Sequence, residues 1–359
     1  MRWDNLTLQG TGSERAGPAS PDTPLFARGA VSRTFDTPGF RGITFYEIQA
    51  RSIINKVPAT SRVPFSWTIN PYRGCSHACV YCFARNTHTY LDLDAGLDFN
   101  SKIIVKVNAP ELARKELTAP KWLGEHVAMG TNVDCYQRAE GRYRLMPGII
   151  AALRDAANPF SILTKGTLIL RDAELLADAA QVTDVGLNVS VGSVDEELWR
   201  LAEPGTPSPR RRLDACAALN DMGLACGVLM GPVMPFLSDS PGQLAETVRQ
   251  IAQAGAIHVS PIVLHLRPGA REWFRAWLGE RYPALVPAYR KLYGNGSYAP
   301  KWYTERVTAL VGELAREHGV GKAHRRQARR LARGDRTGTA AGRARGSGRP
   351  PAATQLSLM

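Results

Sequence analysis

Short apolar runs alternating with amphipathic stretches between residues 65 and 264 restrict this chain to folds built on a parallel sheet with helical crossovers. The strand candidates are 65–70, 102–107, 126–129, 160–164, 185–191, 224–230 and 257–264. Helical patterns fill most of the gaps. Pro110 opens one at its first position, and Asp172 is the expected N-cap of another. Those over 209–222 and 241–254 are closed by Gly223 and Gly255. Six or seven such units are too few for a closed eight-stranded barrel, so the expected fold is α/β, an open or partial barrel. Chemistry in such folds sits at the carboxyl ends of the strands. The polar clusters at 130–140, Thr164-Lys165-Gly166, Ser190 and Glu203-Pro204-Gly205-Thr206 all fall there.

One loop stands out against this frame. Asn70-Pro71-Tyr72-Arg73-Gly74 leads into Cys75, Cys79 and Cys82, spaced C-x3-C-x2-C and followed by Phe83-Ala84-Arg85. Thiolates this close suit a soft metal centre. A structural zinc ion would need a fourth Cys or His. The chain has no second C-x2-C and no H-x3-H, which leaves His77 and His88 as candidates. On a four-iron cluster, three thiolates instead leave one iron open to the amino and carboxylate groups of a small molecule. Arg73 and Arg85 bracket the loop; they either stabilise a reduced cluster or are solvated loop arginines.

The remaining cysteines, Cys135, Cys216 and Cys226, are scattered, so the six do not form a disulfide framework and a reducing, cytoplasmic setting is expected. The first twenty residues lack an apolar signal segment, and the longest apolar run, 226–237, is broken by glycines and prolines, so no membrane span is expected. Of the net charge of +13, residues 321–359 carry +9, from ten Lys/Arg against Asp335. Basicity is therefore a property of the end of the chain, where nucleic acid is the expected partner. The expected organisation is a disordered leader over 1–40, a core over 41–283, a helical extension over 284–320 and an Arg-rich disordered tail over 321–359. An aromatic patch of Trp273, Phe274 and Trp277 is expected to cover one end of the barrel.

The loop, together with Leu163-Thr164-Lys165, Arg171-Asp172, Glu203-Pro204 and Leu266-Arg267-Pro268, resembles the radical S-adenosylmethionine (radical SAM) superfamily. Within it the chain is similar to the spore photoproduct lyase-like, or DNA-repair photolyase-like, group from about residue 44 to about 283. The resemblance implies a partial (β/α)6-type radical SAM barrel with N- and C-terminal extensions. It implies a [4Fe-4S] cluster on Cys75, Cys79 and Cys82, and S-adenosylmethionine cleaved to a 5′-deoxyadenosyl radical. It further implies that the backbone near Tyr81 meets the adenine, that Asp134 accepts from the amino group or ribose, and that Lys165 and Ser190 hold the carboxylate. An electron donor such as a flavodoxin or ferredoxin is the implied partner.

The chain departs from the group at one turn. Related sequences read Thr-Asp-Pro-Tyr-Gln-Pro-x-Glu where this chain has Val133-Asp134-Cys135-Tyr136-Gln137-Arg138-Ala139-Glu140. Lyases of the group keep a hydrogen-donor cysteine just ahead of the Asp, where Asn132 and Val133 stand here, which argues against a thymine-dimer lyase. Cys135 is the nearest thiol; it is either a small core residue or a hydrogen donor. The competing expectation from another class is a non-catalytic iron–sulfur or zinc protein that binds nucleic acid through its tail.

Overall fold

The structure is a computed structural model that describes residues 30–58, 61 and 63–320. Eleven strands appear in that range: β1 Val31–Thr34, β2 Thr44–Ile48, β3 Ile54–Lys56, β4 Trp67–Ile69, β5 Tyr72–Arg73, β6 Lys102–Lys106, β7 Val127–Met129, β8 Phe160–Thr164, β9 Val185–Ser190, β10 Cys226–Val233 and β11 Val259–Val263. They form a seven-stranded sheet, β11-β10-β9-β8-β7-β4-β3, and a four-stranded one, β1-β2-β6-β5. In the larger sheet β4 and β7 to β11 run parallel, with β3 antiparallel at the edge. These six parallel strands are the partial barrel.

Alternation drives the sheet. In β8 Phe160, Ile162 and Thr164 are buried while Ser161 and Leu163 are half-buried on the opposite, concave face. The crossover helices show the matching helical period. In Pro241–Gln253, Leu244, Val248 and Ile251 are buried, and Ser240 and Gln243 form a capping box at its start. Ser208 caps Pro209–Asp221 by accepting from the Arg211 amide.

Three expectations are corrected. The strand at 102–107 is not part of the barrel: as β6 it pairs in parallel with β2 and antiparallel with β5, in the smaller sheet. Residues 31–34, inside the expected leader, form β1 against β2. The helix Lys301–Glu317 lies within the expected helical extension; it packs on β11 and on Pro241–Gln253 and puts Tyr303, Val307 and Val311 into the main core. Asp172 precedes the helix Ala173–Ala180 without a side-chain cap; its carboxylate accepts instead from Tyr136 and Arg171. The helices Leu97–Ser101, Arg138–Tyr143 and Glu196–Ala202 had no sequence expectation. Among the described residues no helix is long and apolar enough to cross a membrane. The tail expected over 321–359 and the leader over 1–29 lie outside the described residues.

Candidate active site around the cysteine loop

Asn70-Pro71 joins the two sheets ahead of the cysteines, since β4 belongs to one and β5 to the other. Gly74 makes the turn out of β5 into the cysteines at φ +82°, and a Cβ there would sit 3.0 Å from the carbonyls of both Phe99 and Lys102. Only glycine fits, because the conformation and the close approach both exclude a side chain. Behind the loop, Gln137 clamps it from two sides, donating to Gly74 O and accepting from Ser76 N, each at 2.9 Å.

Arg85 is fully buried, so the solvated alternative is excluded for it. Its guanidinium donates to the carbonyls of Cys79, Ala95 and Gly96 and to Asn100, and lies 4.7 Å from the Trp273 ring centroid. It thereby ties the aromatic helix Ala270–Arg281 to the loop. Arg73 is half-buried.

Cys75 and Cys79 are buried, Cys82 is partly exposed, and all three are free thiols. Burial, together with the negative charges of Asp134 and the other two sulfurs, pushes the Cys75 thiol well up. Burial and then Glu203 push Cys79 to about 12, and burial raises Cys82. Three such thiols become thiolates only with a cationic centre to balance them, which is what an iron–sulfur cluster provides. The donor set therefore fits that group.

It fits zinc poorly. Among the described residues no three His, Cys, Asp or Glu side chains gather as a single metal ion requires. Ligands to a four-iron cluster each hold a different iron and need not converge. Each of the two candidate histidines has one ring nitrogen paired, and the Nδ1 of His88 has no hydrogen-bond partner among the described residues. His77 Nδ1 lies 3.3 Å from Asp134 Oδ2, and His88 Nε2 lies 2.9 Å from Lys102 O with its ring edge-on to Phe99.

Lys165 and Ser190 are brought together from the carboxyl ends of adjacent strands β8 and β9. Lys165 Nζ donates to Ser190 Oγ at 2.6 Å, and Ser190 Oγ donates onward to Gly231 O at 2.9 Å. The ammonium lies 5.8 Å from the Tyr81 ring centroid, so the pair faces the cysteine loop.

Asp134 is held by several hydrogen bonds within the protein. Its Oδ1 accepts from Tyr136 N at 2.9 Å and Thr164 Oγ1 at 2.6 Å, and its Oδ2 accepts from Lys165 N at 2.7 Å. Burial would raise its pKa, but His77 and these hydrogen bonds prevail and hold it at about 2. With His77 added, its acceptor positions are taken up. In this geometry Asp134 fixes the backbone that presents Lys165. Cys135 has no exposed surface and packs in the main core.

Sequence reasoning gave no role to Glu203, Arg212 or Glu140. Glu140 is buried and accepts from Tyr72, Arg171 and the amides of Leu145 and Met146, which makes it a core strut. Glu203 accepts from the Tyr81 hydroxyl and from Arg212. The sequence signal available was the Glu203-Pro204 pair already noted at a strand exit.

A family model described as the radical SAM superfamily matches residues 69–256. An uncharacterized protein of Mycobacterium tuberculosis H37Rv is 46% identical over 325 residues, covering 90% of this chain and 95% of that one. An uncharacterized protein of Methanocaldococcus jannaschii is 30% identical over 207 residues, covering 57% and 73%. Among solved structures, spore photoproduct lyase complexed with dinucleoside spore photoproduct superposes with a TM-score of 0.57 at 15% identity, covering 77% and 80%. A double mutant of that lyase with bound AdoMet and dinucleoside spore photoproduct gives 0.57 at 16%, covering 77% and 79%. At these identities the likeness is one of fold.

Proposed function

This chain belongs to the radical SAM superfamily, and on that premise we propose that it is an enzyme that cleaves S-adenosylmethionine reductively at a [4Fe-4S] cluster held by Cys75, Cys79 and Cys82. When bound, this cofactor pair supplies one electron to a sulfonium and yields a 5′-deoxyadenosyl radical that abstracts a substrate hydrogen. The observation that carries the proposal is the Lys165–Ser190 pair, a cation and a hydroxyl 2.6 Å apart that face a loop of three clustered thiols.

The residues divide the work. Lys165 and Ser190 offer a charge-assisted site for a carboxylate. Asp134 orients Lys165 through its amide, and Gln137 and Arg85 hold the loop that carries the sulfurs. The concave face of the sheet presents Ala128, Ser161, Leu163, Asn188, Leu229 and Ser260, a neutral wall suited to keeping bulk water and thiols from a radical. An external one-electron donor of the flavodoxin or ferredoxin type is the partner this chemistry needs.

The test is anaerobic reconstitution. Expected are about four irons and four sulfides per chain, by the ligation logic of a four-iron cluster, and release of 5′-deoxyadenosine under reductant. Tightly bound zinc with no acid-labile sulfide would sink the proposal.

A further inference from the structure

The turn at 202–206 is built onto the cysteine loop. Val80 N donates to Ala202 O at 3.0 Å, and Gly205 N donates to His77 O at 3.0 Å. A Cβ on Gly205 would lie 2.1 Å from Ser76 O, so the two backbones touch where only glycine allows it. The Tyr81 hydroxyl adds a side-chain bond across the same seam, to Glu203.

Arg212, on the helix Pro209–Asp221, is 1% exposed and spends its whole guanidinium here. Nε donates to Pro207 O and Nη1 to Ser190 O, both at 2.8 Å, while Nη2 reaches Glu203 and Thr206 Oγ1. The contacts close a ring. From Lys165 it passes to Ser190, through that residue's carbonyl to Arg212, then to Glu203, Tyr81 and back beneath Lys165. Burial would raise the Glu203 pKa, but Arg212 and then Lys165 outweigh it and keep the carboxyl below its usual range. Glu203 thus neutralises Arg212, and the ring retains one positive charge for a ligand carboxylate.

We propose that Arg212, acting through Glu203 and Ser190, is a positioning residue that sets the Lys165–Ser190 carboxylate site in register with the cysteine loop. The inference rests on the functional reading above. A fork with several donors can hold the end of β9, the 202–206 turn and the loop tyrosine at once, which a single ammonium cannot.

The experiment is anaerobic equilibrium dialysis of the cluster-loaded full-length protein with S-adenosylmethionine, with iron content and thermal stability recorded for each variant. Arg212→Lys keeps the charge and breaks the fork; it is expected to bind about 10–100-fold more weakly at unchanged iron content, as loss of an orienting partner does elsewhere. Glu203→Gln keeps the shape and an oxygen for Arg212 while removing the charge, so its affinity is expected within about threefold of wild type, with lower thermal stability. A purely electrostatic role would reverse that order and overturn the proposal. Adding Arg212→Lys to Lys165→Ala is expected to cost nothing further, since both changes remove one interaction; a fully additive loss overturns the proposal. Should Arg212→Lys fail to fold, Tyr81→Phe opens the ring at its other end, and wild-type affinity in that variant is equally fatal. Binding by wild type with no effect of these changes rejects the positioning role alone, whereas no binding by wild type rejects the functional reading beneath it.

Discussion

Lys165 is the side chain on which most of the site chemistry turns, and its neighbours explain how a lysine is held at a strand end. The amide is fixed by Asp134 and the ammonium by Ser190. Lys165→Ala is expected to leave the cluster in place and weaken S-adenosylmethionine binding by about 1.5–3 kcal/mol, the value of a hydrogen bond to a charged group; dialysis of the loaded variant checks it. Asp134 makes a separate prediction. Its folded pKa of about 2 lies below the ordinary 3.8, so it contributes stability above about pH 3.8 that is lost as pH falls through 2. The difference in unfolding free energy between wild type and Asp134→Asn, measured on cluster-free protein, should therefore shrink by about 2 kcal/mol between pH 5 and pH 2. A difference that stays constant over that window would mean the carboxylate is not specially stabilised.

At the level of single helices and strands, local signals and long-range pairing contribute differently. The helix Pro241–Gln253 is specified by its own residues: a Ser240–Gln243 capping box, Pro241 at its start and apolar side chains one or two turns apart. Ser240→Ala should cost about 1 kcal/mol and lower the melting temperature by about 1–2 °C, readable by calorimetry; no change would show that the packed face alone holds the helix. Strand β6 is the opposite case. Its residues Lys102–Lys106 satisfy the pattern of a barrel strand, yet it pairs with β2 and β5. Its apolar run Ile103-Ile104-Val105 suits any buried sheet, and partner choice lies in residues as distant as Tyr72 and Thr44.

Across the whole molecule, charge and structure are separated. The +9 of residues 321–359 belongs to a stretch outside the described fold, and the barrel's concave wall is neutral. Truncation after Val320 is expected to abolish salt-dependent, sequence-independent binding to nucleic acid. The full chain's log–log salt slope should be about −0.9 per phosphate contacted on duplex DNA. Titrations of both forms at several salt concentrations decide it, and equal binding by the truncated chain would make the tail a solvated appendage.

The spacing of Cys75, Cys79 and Cys82, the six crossover units and the strand-end positions of Lys165 and Ser190 were legible in the chain itself. Each is a local pattern: thiols within eight residues, a period of two or 3.6, a polar residue where a strand stops. What the tertiary structure decided were contacts between distant residues. Asp134 accepts from the Lys165 amide, thirty-one positions on. Arg85 became a buried tie to Trp273, and Tyr81 met Glu203 across 122 positions to close the ring with Arg212. No periodicity encodes such pairs. Each buried polar group must find a partner once the sheet has brought its neighbours close, and which partner that is depends on the packing of strands far apart in the chain.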